Sequence, residues 1–374
     1  MTDESTPTIL TDDQFDDLVS MDVAVPTIRR AIESHAAGDL VAPPRFSVDG
    51  ERGSLVFTAG VVGGSGGGDV EGDDVDGGDV DGGDVDGDDV DGDDVDGVDV
   101  DGVDGNVDDD GGDGDDTGRG EVMGFRVYET VPDSPAANQL VVTYDGETGA
   151  LEGVIVGDRV GAVRTGAIGG VAVDELARPD ARTLGIIGAG SQARTQLRAA
   201  ATVRSFDRVA VYSPTRANRE RFAAELGSAL ELDVRPVDSS EDAVRGADVV
   251  ITATTSREPV FDPAWLDPGV HVNTVGPKFV DAHELDPAVA ASADVIATDS
   301  LAQVDGYDGR FLLADTPQRE GMVELGALVT GAATGRQHDE ETTLFCSVGL
   351  AGTEVALAHE AFRRVSDESS RSGQ

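Results

Sequence analysis

The residues with the clearest chemical purpose are Gly188-Ala189-Gly190-Ser191-Gln192-Ala193. They follow the apolar run LGII and precede QARTQLRAAA, so they read as the turn between a strand and a helix. Gly188 permits the tight turn, Gly190 lets a pyrophosphate approach the backbone, and Ala193 keeps the packing between helix and strand close. The N-terminus of the helix presents free N–H groups and the positive end of a dipole to phosphates. A bare GxGxxA is a weak signal. Here strand, turn and helix come in order, which points to a dinucleotide cofactor.

The second strand bears on which dinucleotide. An NAD-selective site usually ends that strand with Asp or Glu. This chain has Ser213 there, followed by Pro214, Thr215, Arg216 and, one turn on, Arg219. A small hydroxyl beside guanidinium groups suits a 2′-phosphate, so the reading is NADP(H), with NAD(H) as the alternative. The plainer reading is that both arginines are solvated helix residues.

The surrounding pattern has the rhythm of a parallel α/β sheet. Strands are expected at 183–187, 208–213, 232–237, 248–254, 270–275 and 294–299, with helices at 191–203, 215–227 and 239–246. A helical pattern also runs from Val160 to Pro179. Upstream, Thr11 caps a short helix carrying Phe15, Leu18 and Val19, and a second helix carries Val23, Val25, Ile28 and Ile32, with Gly38 near its end. Strands are expected at 54–62 and 121–129, then a pair, QLVVTYD and GALEGVIVG. The last 60 residues, 342–350 included, read as helix and loop.

The chain has 374 residues, with 74 Asp and Glu against 27 Lys and Arg, a net charge of −47. Residues 69–116 hold 24 acids and no base; the other 326 residues still carry 50 acids against 27 bases. Lys278 is the single lysine. An acid-rich, lysine-poor surface fits a halophilic protein kept in solution by charge. It also repels nucleic acid and anionic lipid, so neither is an expected partner. The one cysteine, Cys346, allows no intramolecular disulfide. The acidic N-terminus is no signal peptide, and no apolar run reaches membrane-spanning length, so the expected location is cytoplasmic.

Seven pentads of the type DVDGx fill residues 69–103. Asp-x-Asp-Gly suits a hard cation, yet the closing Glu of a twelve-residue calcium loop is missing and the nine-residue β-helix repeat does not fit. One valine per pentad buries too little apolar surface to offset chain entropy. Residues 63–120 therefore read as a disordered acidic insertion at a hairpin tip, and no metal site is assigned.

Five stretches, RVGAVRTGAIGGVAV, LGIIGAGSQARTQ, GADVVITATTS, GVHVNTVGP with HELDP after it, and TLFCSVGLAGTEVALA, give the chain its resemblance to the ornithine cyclodeaminase/mu-crystallin family. That family also contains archaeal alanine dehydrogenases and ketimine reductases. The resemblance covers most of residues 40–62 and 121–362. It implies an α/β protein: a Rossmann domain (169–305) and an α+β substrate and dimerisation domain built from both chain ends (1–168 plus 306–374), in a homodimer. It implies that Arg45 and Arg164 hold a substrate carboxylate, Arg164 close to the cofactor phosphates, and that Thr165, Val275 and Gly276 join Gly188, Gly190, Ser191, Gln192, Ala193, Ser213 and Arg216 around the cofactor.

Two departures from the family pattern matter. Its GxK lysine is Arg126 here, which can hold a carboxylate or polarise a carbonyl but is a poor general base. The Asp that many members carry two residues after VG is replaced by Lys278. Lysine can lose its proton when desolvated, so Lys278, near Arg126 and Arg164, is the candidate proton donor or acceptor to a substrate amine or imine during hydride transfer. The bland reading is a surface lysine; His271 and His283 read as buried or capping residues. The function expected is an NAD(P)H-dependent oxidoreductase acting on CH–NH2 or C=N groups of a small amino, keto or imino acid. An ammonia-releasing cyclodeaminase and a catalytically silent binding relative are the alternatives.

Overall fold

A computed structural model describes residues 7–63, 120–131 and 139–372. The pentad repeat, with the insertion and disorder expected there, lies outside them. The described residues build two large sheets and a two-stranded one.

The first sheet comprises β1 (Thr8–Thr11), β2 (Leu40–Val41), β3 (Phe46–Asp49), β4 (Ser54–Val62), β5 (Val122–Glu129), β6 (Gln139–Asp145) and β7 (Leu151–Val156). Its order is β1-β7-β6-β5-β4-β2, with β3 also on β4. Strands β4 and β5 pair antiparallel up to Val62 and Val122, the residues that bracket the insertion. Helices α1 (Asp12–Leu18) and α2 (Met21–Ala37) start where expected. Gln14 reaches back to the Thr11 N–H, and Gly38 ends α2 in the left-handed conformation.

The long C-terminal helix α11 lies on one face of this sheet. A row of small residues makes room for it: Gly60 pairs with Gly124, Gly124 with Thr143, and Thr143 with Gly153. A Cβ on these glycines would strike Gly352, Val355 and Phe362 respectively, within 2.4–3.1 Å. That close seating sets where the first turn of α11 (Thr353–Ser372) delivers its side chains.

Helix α3 (Arg159–Leu176) leads into the second sheet, which is parallel throughout. Its strands run β10 (Val234–Pro236), β9 (Arg208–Tyr212), β8 (Thr183–Ile187), β11 (Val249–Thr252), β12 (His271–Thr274), β17 (Thr343–Cys346), β15 (Val295–Thr298) and β16 (Val323–Glu324). The third, second, first, fourth, fifth order of β10 to β12 is that of a Rossmann sheet, with its switch point between β8 and β11. Helices α4 (Ser191–Val203), α5 (Arg216–Leu230) and α6 (Ser240–Val244) follow β8, β9 and β10. A two-stranded piece, β13 (Lys278–Phe279) with β14 (Ala282–His283), comes after β12. Helices α7 (Pro287–Ser292), α8 (Leu301–Asp305), α9 (Pro317–Glu320) and α10 (Leu325–Val329) carry the chain on to β17 and α11.

One expectation is overturned. Residues 343–346 are a strand inside the parallel sheet, not helix or loop. All four side chains are buried. A short apolar run without alternation is what a strand covered on both faces needs, and a buried helix segment looks the same in sequence.

Helix α3 fixes the position of α4. Gly166 and Gly169 face Thr195 and Gln196 so closely that an added Cβ would lie 2.6 and 2.1 Å from those side chains. Gln196 then donates to the Thr165 carbonyl at 3.0 Å. The two helices lock together through small residues, and the N-terminal half of α4 is held from behind.

Candidate functional site

A cleft of about 750 Å³ opens at the switch point, along the ends of β8, β9, β11 and β12. Of the residues expected around a cofactor, Gly188, Gly190, Ser191, Gln192, Ser213, Val275 and Gly276 line it. Gly188 has φ +121, and a Cβ there would lie 2.3 Å from the Ala253 carbonyl oxygen. Gly190 stands open, since a Cβ added to it would meet nothing within 4 Å. It is the N-cap of α4, and no side chain caps the helix there. Gln192 Oε1 is buried without a hydrogen-bond partner. None of the described residues lining the cleft is charged. In so acidic a chain, that uncharged surface of backbone N–H groups and hydroxyls would not repel an anion.

Three expected cofactor residues lie elsewhere. Ala193 is fully buried behind the turn, in the core under β8. Thr165 donates its hydroxyl to the Gly161 carbonyl inside α3, because an interior helix position turns the hydroxyl back onto its own backbone. Arg216 is exposed and bound to Glu220 at 2.7 Å, one helical turn on. Arg219 is buried, donating to the Ser213 carbonyl and to Asp238. The two arginines are thus occupied by ordinary helix and loop partners.

The inner wall of the cleft depends on a residue that sequence reasoning missed. Glu284, fully buried, accepts six hydrogen bonds: from the hydroxyls of Thr252, Thr254 and Thr274 and the N–H groups of Thr254, Val275 and Gly276. One carboxylate therefore ties the ends of β11 and β12 together. The available signal was its place in the stretch HELDP, beside the GVHVNTVGP strand.

Lys278 is 2% exposed, and its Nζ donates to the Gly276 carbonyl at 2.7 Å. Burial pulls its pKa below the usual lysine value; Glu284, Cys346 and Asp299 oppose that, and Arg45 adds to it. It is not a surface lysine. Its charged neighbours differ from those expected, however, since Arg126 and Arg164 gather around Glu354. The Glu354 carboxylate lies 3.1 Å from Arg126 Nη1 and 3.1 Å from Arg164 Nε. Burial alone would raise the Glu354 pKa, but Arg164 and Arg126 outweigh it and hold it below the ordinary value. Arg126 gives its remaining donors to Gln139 and stacks 4.4 Å from the Tyr128 ring. Its role here is to hold neighbouring groups, and burial lowers its pKa. Arg164 differs: its buried Nη1 has no hydrogen-bond partner.

Residues 347–349 connect the two clusters. Buried Asp299 accepts from the N–H groups of Val348 and Gly349, both at 2.8 Å. Arg45 donates to the Val348 carbonyl, and the Arg164 guanidinium packs against Gly349. Arg45 and Arg164 are thus set around one short loop, and Asp299, which anchors that loop, also acts on the charge of Lys278. Cys346, at its start, is pushed up to about 12 by burial, so its thiol is no nucleophile. His271 is buried between Thr343 and Asn273, far from any titrating role at neutral pH.

The family model for the ornithine cyclodeaminase/mu-crystallin family matches residues 117–369. The chain belongs to that family. Among its relatives, a Delta(1)-pyrroline-2-carboxylate reductase of Bacillus cereus is 31% identical over 256 residues, 65% of this chain and 78% of that protein. The ketimine reductase mu-crystallin of Mus musculus is 35% identical over 224 residues, covering 60% and 68%. The Thermococcus litoralis Delta(1)-pyrroline-2-carboxylate reductase, solved with NADH and L-proline, superposes with a TM-score of 0.74 at 26% identity, over 96% of this chain and 98% of that one.

Proposed function

We propose that this family member is an NAD(P)H-dependent reductase of C=N bonds in small 2-imino acids, able to run in reverse as an amino-acid dehydrogenase. The observation that carries the reading is the link between cleft and lysine: Gly276 lines the cleft, and its carbonyl accepts from the fully buried Lys278. Gly188, Gly190 and the open end of α4 would hold the phosphates of a nicotinamide dinucleotide, which when bound would supply the hydride, and Glu284 fixes the wall formed by Val275 and Gly276. Lys278 would give a proton to the substrate nitrogen as the neighbouring carbon is reduced. Arg164, with its unspent donor, and Arg45 hold the substrate carboxylate. Arg126 and Glu354 orient Arg164.

For the cofactor the proposal is NADP(H) over NAD(H). No acid lines the rim at Tyr212, Ser213 and Pro214, and Arg216 stands exposed at the start of α5, where a 2′-phosphate would compete with Glu220 for it. The two sheets are read as the cofactor and substrate domains, with β16 and β17 joining the cofactor sheet from beyond residue 305. A homodimer is proposed through the outer face of the first sheet. There Phe46, Phe57, Val127, Leu140 and Val156 are paired neighbours across five strands, and Ile9, Val48 and Leu55 extend the exposed apolar surface.

The test is to supply NADPH or NADH with Delta(1)-pyrroline-2-carboxylate, or with pyruvate and ammonia. Loss of the reduced-nicotinamide absorbance supports the proposal. Ammonia release from ornithine with no net absorbance change would replace it with a cyclodeaminase.

A further inference from the structure

Thr58, on β4, is a buried residue that the proposed reaction does not yet use. Its hydroxyl is buried and has no hydrogen-bond partner among the described residues. We infer that Thr58 is a substrate-binding residue, whose hydroxyl donates to the carboxylate that Arg45 and Arg164 hold. This rests on the reductase reading and adds a neutral donor to the same site.

Strand register places Thr58 among the arginines. It pairs with Arg126 on β5. The last rung of β3 joins Phe46 to Phe57, so Arg45, the residue before Phe46, stands level with Thr58 on its other side. Opposed side chains share a face, with Cβ atoms about 4.5–5.5 Å apart. Thr58 therefore lies on the sheet between Arg45 and Arg126. The face is the one on which α11 is seated, because Gly60, two residues on, meets Gly352 there. The groups above the row close the ring: Arg126 and Arg164 share Glu354, while Arg45 and Arg164 meet at Val348 and Gly349. Three guanidinium groups thus surround the hydroxyl, and the Arg164 Nη1 among them also lacks a partner. Two unspent donors in one cationic ring suit a carboxylate.

Packing alone does not call for threonine at this position. Valine has nearly the same shape and suits a strand, and a buried hydroxyl without a partner costs free energy that a methyl does not. The Thr143 hydroxyl is an orphan too, but that residue is fully buried in the row beneath α11, out of reach of a ligand. Thr58 keeps 8% of its surface exposed, on the row beside it. The arginines reach the site on long side chains, whereas Thr58 presents a short, stiff one from the middle of a paired strand. A donor held so firmly fixes the depth at which the carboxylate sits, and with it the distance of the substrate nitrogen from Lys278.

The experiment compares wild type, Thr58→Val and Thr58→Ser. Each is assayed with NADPH and Delta(1)-pyrroline-2-carboxylate, titrated with L-proline by calorimetry after loading with NADP, and unfolded in urea. Thr58→Val should raise KM and the L-proline Kd about tenfold or more, with kcat changed less than about twofold. Its resistance to urea should equal or exceed that of wild type, because the hydroxyl removed has no partner in the free protein. Thr58→Ser should restore KM and Kd to near wild type. Unchanged KM and Kd in Thr58→Val would overturn the assignment, and so would a loss of stability without a change in either. L-proline affinity that depends on the hydroxyl, in a protein that turns over no imine, would keep the assignment and defeat the reductase reading.

Discussion

Gly188 and Gly190 stand two residues apart in one turn, and substitution by alanine should damage different properties at each. Gly190 has φ −82 and ψ −172, an extended conformation open to any residue, and an added methyl meets nothing within 4 Å. The folded protein should tolerate Gly190→Ala with a loss of at most about 1 kcal/mol, the cost of a poorer N-cap. That methyl projects where the pyrophosphate must approach, however. Overpacking by one methyl costs about 1–3 kcal/mol, so NADPH affinity should fall roughly 5- to 150-fold. At Gly188 the same methyl would be 2.3 Å from the Ala253 carbonyl, on a backbone at φ +121. Strain of about 1–3 kcal/mol, with the clash added, should appear as lost stability. Fluorescence titration with NADPH and urea unfolding of both variants read the two effects separately. Unchanged NADPH affinity in a stable Gly190→Ala protein would refute the placement of phosphates at this turn.

Four other outcomes are expected. Lys278→Met should lower kcat by about 100-fold or more while leaving NADPH affinity near that of wild type, since general acid catalysis contributes roughly 10²–10⁴. In wild type, reduction should decline with rising pH below the ordinary lysine pKa, because burial lowers that of Lys278. His271 is held neutral in the folded state, with a pKa lowered to about 3 by burial, so the unfolded chain takes up a proton first as pH falls below its ordinary 6.5. Stability should therefore drop by up to about 1.4 kcal/mol per pH unit from this group between roughly pH 6 and pH 4, and His271→Asn should show a shallower slope in urea unfolding. Arg216→Ala should raise KM for NADPH about tenfold relative to NADH, and an unchanged ratio would remove Arg216 from cofactor choice.

The strand–turn–helix that lines the cleft was legible because its pattern is local. The turn Gly188–Ala193 is six consecutive residues, and its strand and helix announce themselves on either side. Lys278 stood out as a single lysine among arginines, and it proves to be buried. The remainder depends on residues brought together from far apart. Glu284 reaches back to Thr252 and Thr254, and Glu354 joins Arg126 across 228 positions, so nothing in local spacing marks either. Glu354 was visible only as an acid inside the apolar stretch LAGTEVALA, and Glu284 only as one of two acids in AHELDP. Strand β17 escaped because four buried residues in a row fit a helix as well as a strand. The pairing of Arg126 with Glu354, in place of Lys278, follows from the row Gly60, Gly124, Thr143 and Gly153, which seats α11 against the sheet. Such a seat is read only once strand register is known.

The most direct measurement is a single turnover, with wild-type protein and Lys278→Met each loaded with one equivalent of NADPH and mixed with a 2-imino acid. In wild type the bound reduced-nicotinamide absorbance should disappear one-for-one with amino acid formed; in the variant it should persist with the cofactor still bound. Equal loss of absorbance in both proteins, or no NADPH bound by either, would contradict the joining of cleft and lysine on which the function rests.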